Sequence, residues 1–301
     1  MLIDTHAHLY WDSFKQDFDE VIRHSLDADV GIIINIGVDV ETSKIAAELN
    51  SNKLKFYSSI GIHPHEAVKY KDNLDISIQK DIKSLEKIYL DNVDKVVAVG
   101  ECGLDYAFST SGESKPTSEV FIVKNLQRQL FQAQIDLAKK LNLPLIVHCR
   151  DDRSKSSGST GTSAVSSVPS GSPPAETSSP SAWDEVLKMT KDYFGIYHCY
   201  SGLLPTTNRI LQTNFLVSFA GNITYPQNEY LQEAARILPL EKITIETDSP
   251  FLPPQSKRGQ RNEPAYVLEV VKEIARIKNQ PIDQIVDQMW QNVSKIGIIK
   301  A

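Results

Sequence analysis

Short runs of apolar residues alternate with stretches in which apolar residues recur every three to four positions, along the length of the chain. The runs lie near residues 2–6, 31–36, 56–62, 95–101, 144–148, 193–198, 215–219 and 243–248, about eight strands by periodicity. Unbroken apolar character marks parallel strands covered on both faces; strands with one wet face would alternate apolar and polar. Between the runs, Leu126, Leu130, Ala133, Leu137, Ala138 and Leu141 fall at helical spacing, as do Val267, Val270, Val271, Ile274 and Ile277. Repeated strand–helix units close most simply as an α/β TIM-type (β/α)8 barrel, whereas an open doubly wound sheet would keep its first and last strands apart. The pattern predicts a single barrel domain over residues 1–301.

One stretch breaks the pattern. Residues 154–181 are nearly all Ser, Gly, Pro, Thr and Ala, a composition that buries no core, so a disordered low-complexity insertion is expected after strand 5. It leaves directly after His148-Cys149-Arg150. Loop length costs little entropy, which makes a neutral insertion the first reading, with gating through Ser172-Pro173 or Ser179-Pro180 the lesser one.

The polar residues that end the apolar runs carry the candidate chemistry. Six of the seven histidines, all but His24, stand at or just beyond run ends. His6 and His8, two apart on extended backbone, project to one side and can reach one metal ion. Glu101, His148, His198 and Asp248 each close a run of their own, and a barrel gathers its strand C-termini on one catalytic face. A hydrogen-bonded core histidine is the ordinary alternative at any one position, but it must here hold at five positions together. By strand alternation Arg150 shares the side of His148, where it reaches a substrate phosphate or forms a rim salt bridge. Cys102, Cys149 and Cys199 each follow a candidate ligand directly, so alternation turns them toward the helices and into packing. Glu246 is expected to point inward below Asp248, with no partner identifiable.

Composition narrows the setting. A hydrophobic fraction of 41% suffices for a sizeable core, and three widely spaced cysteines argue against a disulfide framework and for a reducing compartment, cytoplasmic or nuclear. No run approaches the ~20 apolar residues of a membrane span, and the first strand begins immediately after Met1, so neither a membrane helix nor a secretory signal is expected. The net charge of −6 argues against a broad basic face that coats duplex nucleic acid. It leaves room for an enzyme whose metal ions and local cations, at Arg150/Arg153/Lys155 or Lys257/Arg258/Arg261, hold one phosphodiester.

The motifs IDTHAHL (3–9), GIHPHEA (61–67), GECGLDY (100–106), PLIVHCRD (144–151), YHCYSG (197–202), ETDSPFL (246–252) and RNEP (261–264) come in an order that resembles the TatD family of metal-dependent deoxyribonucleases, within the amidohydrolase-like barrels. The resemblance spans nearly the whole chain outside 154–181 and the polar stretch 108–118. It implies two divalent ions, one held by His6, His8, Glu101 and Asp248 and a second by Glu101, His148 and His198, with Glu101 bridging. It also implies substrate contacts from His63, at the scissile phosphate, and from His65, Asp105 and Arg261. The implied reaction is hydrolysis of DNA, with 3′-5′ exonuclease polarity on single-stranded or frayed ends.

Such a site works by metal-assisted in-line hydrolysis. Asp248 is the expected proton acceptor for the attacking water, and His63 and Arg150 the groups that stabilise developing phosphate charge. The donor types favour Zn2+ or Mn2+, while the resemblance implies Mg2+; turnover is expected with Mg2+ or Mn2+, with Zn2+ able to occupy the site. The expected partner is DNA and the expected state a monomer. Two alternatives stand beside this reading: a same-fold hydrolase of RNA or of a small ester or amide, and a noncatalytic adaptor that uses 154–181 to bind partners.

Overall fold

The computed structural model describes residues 1–71, 74–110, 117–152 and 180–299. Strands β1 (Leu2–Ala7), β2 (Val30–Ile36), β3 (Lys55–Ile60), β4 (Val96–Asp105), β5 (Leu145–Arg150), β6 (Phe194–Tyr197), β7 (Asn214–Phe219) and β8 (Ile243–Ile245) form one parallel sheet in sequence order. The chain just past β8 returns to β1: Ala7 bridges Ser249 in parallel, and Asp248 N donates to His6 O at 2.9 Å. The strands thus form a nearly closed ring. The helices that alternate with them are α1 (Phe18–Asp27), α2 (Val40–Glu48), α3 (Leu74–Asp91), α4 (Tyr106–Thr110), α5 (Thr117–Leu141), α6 (Ala182–Met189), α7 (Leu204–Ile210), α8 (Glu229–Ile237), α9 (Val267–Lys278) and α10 (Ile282–Lys295). The two apolar patterns with helical spacing are α5 and α9. No helix among the described residues is long and apolar enough to cross a membrane.

Alternation along each strand divides the core in two. Leu2, Ile33, Val147 and Tyr197 pack outward against Leu130, Val270 and Ile274 of the helices. Ile3, Ile34, Ile146, Ile196 and Leu216 pack inward, with Val293, Ile298 and Ile299 in the same cluster below them. Each fully buried aliphatic side chain contributes roughly 1.5–3 kcal/mol, so both layers are needed to hold the ring. Buried Asn292 donates to Leu240 O and Ile243 O, both at 2.8 Å, and fastens α10 to the start of β8.

Two strands differ in length from the apolar runs. β4 continues past Glu101 to Asp105, because β5 pairs with it from Cys102↔Val147 to Asp105↔Arg150. Gly103 permits this: its φ is 137°, and a Cβ there would lie 2.0 Å from His148 O. β8 stops at Ile245, so Glu246, Thr247 and Asp248 lie beyond the ladder. Arg153, Lys155, Ser172, Ser179 and the Ser/Gly/Pro-rich stretch up to residue 179 lie outside the described residues. The described chain resumes at Pro180, and the Ser181 hydroxyl accepts from Asp184 N at 3.0 Å to cap α6.

Candidate metal centre

The ends of six strands bring the candidate residues to one face. His6 belongs to β1 and His8 follows it, Glu101 and Asp105 belong to β4, and His148 and Arg150 to β5; His198 follows β6, Asp248 follows β8, and His63 and His65 follow β3. They surround a cavity of about 630 Å³ at the C-terminal mouth, with only His6 sealed beneath it. That volume is typical of a small-molecule site.

Two donor groups meet at Glu101. In the first, His6 Nε2 lies 3.2 Å from His8 Nε2, 3.4 Å from Glu101 Oε2 and 3.6 Å from Asp248 Oδ1, and His8 Nε2 lies 3.6 Å from Asp248 Oδ1. Ligands ~2.1 Å from the centre of a tetrahedron are about 3.4 Å apart, so these separations fit a tetrahedral cation site. In the second group, Glu101 Oε1 lies 2.7 Å from His198 Nε2, 3.0 Å from His148 Nδ1 and 3.3 Å from His63 Nε2. Behind both, His6 and His198 stack with ring centroids 4.0 Å apart, and with buried Glu246 they form a third cluster.

Neighbours fix which ring nitrogen carries a proton. His8 Nδ1 faces Ile36 O at 3.1 Å and must donate to it, which leaves Nε2 as a lone pair toward Asp248. His148 Nε2 lies 3.1 Å from Asp105 Oδ2, so its Nδ1 is the nitrogen free to ligate. His63 Nδ1 accepts from His65 N at 3.2 Å, so its Nε2 carries the hydrogen and acts as a donor. Glu246, for which the sequence offers no partner, accepts from Cys199 N at 2.6 Å and lies 3.4 Å from His198 Nδ1. His6 Nδ1 and Glu246 Oε2 have no hydrogen-bond partner among the described residues.

The electrostatics fit a cation. Burial opposes ionisation of Glu101, but the charge of His198 and the hydrogen bonds from His148 and His198 outweigh it and hold the carboxyl well below its usual range. Burial likewise opposes protonation of His198, which the Glu101 charge nevertheless raises well above an ordinary imidazole. His148 is also raised: burial lowers it, and hydrogen bonds to Asp105 and Glu101 more than compensate. Burial drives His6 down to about 4, with His198 adding to the effect, and drives His63 down to about 4 against the pull of Glu101. Protons on His148 and His198 therefore offset a buried negative charge that a divalent ion bound among the same atoms would offset instead.

Other candidates fall in different places. Arg150 pairs with Asp105 through Nε at 3.1 Å and Nη2 at 2.8 Å, and it is 51% exposed at the cavity. Buried Asp105 also accepts from His65 Nε2 at 2.8 Å and from Phe108 N at 2.8 Å. Arg261 is absent from the cavity lining: its Nη1 and Nη2 reach Asp17 at 2.9 and 2.6 Å, and its guanidinium lies over Phe14. Lys257 and Arg258 lie over Tyr266 and Tyr225. Cys102 and Cys149 are buried in the outer core, with Cys149 also touching the cavity wall; half-buried Cys199 lines the cavity, and its φ of 41° ends the strand alternation there.

Sequence reasoning passed over Asp4, Trp11 and Phe251. Asp4 is fully buried, accepts from Thr247 N at 2.9 Å and Thr247 Oγ1 at 2.5 Å, and is pushed up to about 7 by burial. A charged residue inside the apolar run Leu2–Thr5 was the available signal. Trp11 and Phe251 line the cavity lip next to His8.

A parallel barrel whose mouth gathers histidine and carboxylate donors around one shared glutamate is built for metal-dependent hydrolysis. Comparison with known proteins gives the family. The chain belongs to the TatD related DNases, whose family profile matches residues 3–296. It is 31% identical over 301 residues to the uncharacterized metal-dependent hydrolase YabD of Bacillus subtilis, covering 98% of each chain. It is 24% identical over 300 residues to a Citrobacter rodentium protein named 3'-5' ssDNA/RNA exonuclease TatD, covering 98% of this chain and 97% of that one. The crystal structure of the TatD homologue YjjV from Escherichia coli shares the fold, with a TM-score of 0.77 and 24% identity over 99% of this chain and 98% of that one.

Proposed function

We propose that this hydrolase is a metal-dependent deoxyribonuclease that shortens single-stranded or frayed DNA from its 3′ end. The observation that carries the proposal is the pair of donor groups sharing Glu101 at the floor of an open cavity. The family's description and the name of the Citrobacter relative support nucleic acid as the substrate. His6, His8, Glu101 and Asp248 would hold one divalent ion, and Glu101, His148 and His198 a second. Bound there, Mg2+ or Mn2+ would supply Lewis acidity toward water and a phosphodiester, and the nitrogen-rich donor set also suits Zn2+.

The chain's own groups divide the remaining work. Asp248, at the cavity floor, takes the proton of the attacking water. His63, neutral because burial lowers it to about 4, donates Nε2–H to a phosphoryl oxygen without adding charge. Arg150 spends two of its five N–H donors on Asp105 and offers the others to the phosphate. His65, fixed by Asp105, lies along the substrate's path at the rim.

The test is cleavage of end-labelled single-stranded and duplex DNA by metal-stripped protein, with Mg2+, Mn2+ or Zn2+ restored, beside Glu101→Ala. Metal-restored shortening from the 3′ end that the variant lacks is the expected result. Cleavage of RNA alone, or of neither nucleic acid by a folded protein that binds metal, would refute the assignment.

A further inference from the structure

We infer that Trp11 and Phe251 form a stacking platform for the base at the end of the strand being cut. The inference rests on the nuclease reading of the adjoining site. Both rings are large, apolar and 37% and 42% exposed. One exposed ring is ordinary surface, but these two stand together in the lining of the cavity that holds the candidate ligands. Their centroids are 4.9 Å apart and their planes meet at 89°, which makes a corner with one wall flat to a base and the other against its edge.

The platform is built into the metal centre. Trp11 comes three residues after His8, and Trp11 N donates to His8 O at 3.2 Å. Phe251 comes three residues after Asp248, and Phe251 N donates to Asp248 O at 2.9 Å, while Asn262 Nδ2 holds Phe251 O at 2.6 Å. The rings lie 5.8 Å and 6.2 Å from the His8 ring, centroid to centroid. Barrel closure between β1 and the chain past β8 therefore sets the rings at a fixed distance from two candidate ligands.

Chemistry selects the occupant. A nucleobase has a π-face that any aromatic wall accepts, and stacking of this kind tolerates sequence. Within a duplex both faces of an internal base are covered by its neighbours. Only an unpaired or terminal base offers a free face, so the platform favours single strands and ends.

The test is a cycle in the metal-loaded full-length chain between ring and base. Wild type, Trp11→Ala, Phe251→Ala and Trp11→Phe are assayed on a single-stranded oligonucleotide and on one whose final two 3′ nucleotides lack bases. On the intact strand each alanine variant should lose about 5- to 150-fold in kcat/KM, chiefly through KM, and Trp11→Phe should recover most of it. On the abasic end the variants and wild type should agree within about twofold. Equal losses on both substrates, or no loss on either, would overturn the platform and leave the nuclease reading standing. Failure of the wild type to cleave the intact strand would overturn both.

Discussion

Replacing Asp105 by Asn tests whether His148 is held in the tautomer that a metal ion needs. Asp105 Oδ1 accepts from Phe108 N and Arg150 Nε, and an amide oxygen in that place keeps both bonds. The other carboxylate oxygen faces His65 Nε2, His148 Nε2 and Arg150 Nη2, and the variant puts an NH2 group there. His148 Nε2 must then accept, which leaves the ring's one remaining proton on Nδ1, the nitrogen 3.0 Å from Glu101 Oε1. That proton makes a sound hydrogen bond to Glu101 in the metal-free chain, while Arg150 Nη2 loses its acceptor, so melting of the metal-free variant gives the reference for the metal effect. It also blocks the ligand lone pair. Loss of such a supporting contact costs about 10–100-fold in metal affinity, or roughly 1.4–2.7 kcal/mol. At a free metal concentration 100 times the wild-type Kd, binding stabilises wild type by about 2.7 kcal/mol; a Kd raised 100-fold leaves about 0.4 kcal/mol. Calorimetric titration with Mn2+ or Zn2+, paired with melting curves at rising metal concentration, reads both quantities. Unchanged affinity in Asp105→Asn would refute the tautomer argument.

Metal binding must expel the protons that Glu101 and its neighbours hold on His148 and His198, so apparent affinity should rise with pH by about tenfold per unit for each proton released. Titration in buffers of different ionisation heat should show net proton release near neutral pH, and none would contradict the raised values. Burial lifts Asp4 from 3.8 to about 7, so its contribution to stability is fully present below 3.8 and is lost as pH rises through about 7. The stability of metal-free wild type relative to Asp4→Asn should therefore fall between pH 4 and 7 and then level off, and a flat difference by thermal melting would contradict this. Gly103→Ala should cost on the order of 3 kcal/mol or more in urea unfolding, because its Cβ would lie 2.0 Å from His148 O at a φ of 137°; a loss below about 1 kcal/mol would show that β4 and β5 separate easily.

The strands were legible because their residues are buried on both faces, as in Ile32–Ile36 and Val96–Val99, and such runs admit few other structures. Their ends were less so. Alternation with period two holds inside a ladder and lapses where the backbone turns left-handed, at Cys199 with φ 41° and Asp248 with φ 58°. Half-buried Cys199 lines the cavity, and Asp248 stands three residues beyond a strand that ends at Ile245. Run ends also marked the residues the structure gathers around Glu101, since parallel strands of one barrel end on one face. Contacts between remote loops left no local trace: Arg261 meets Asp17 across 244 positions, and nothing near either residue announces the pair. The Trp11–Phe251 corner is invisible for the same reason, as it exists only once β1 and the chain past β8 are side by side.

Closure of the ring between its first strand and the chain beyond its last also sets a timetable. During synthesis the donors Glu101, His148 and His198 have all been made when residue 198 is added, whereas the set that includes His6 and His8 waits for Asp248, about 50 residues later. At about 5–20 residues per second that interval lasts roughly 3–10 s. A nascent chain thus carries one complete donor group and three of the four members of the other, and His6 and His8 wait through that interval for Asp248.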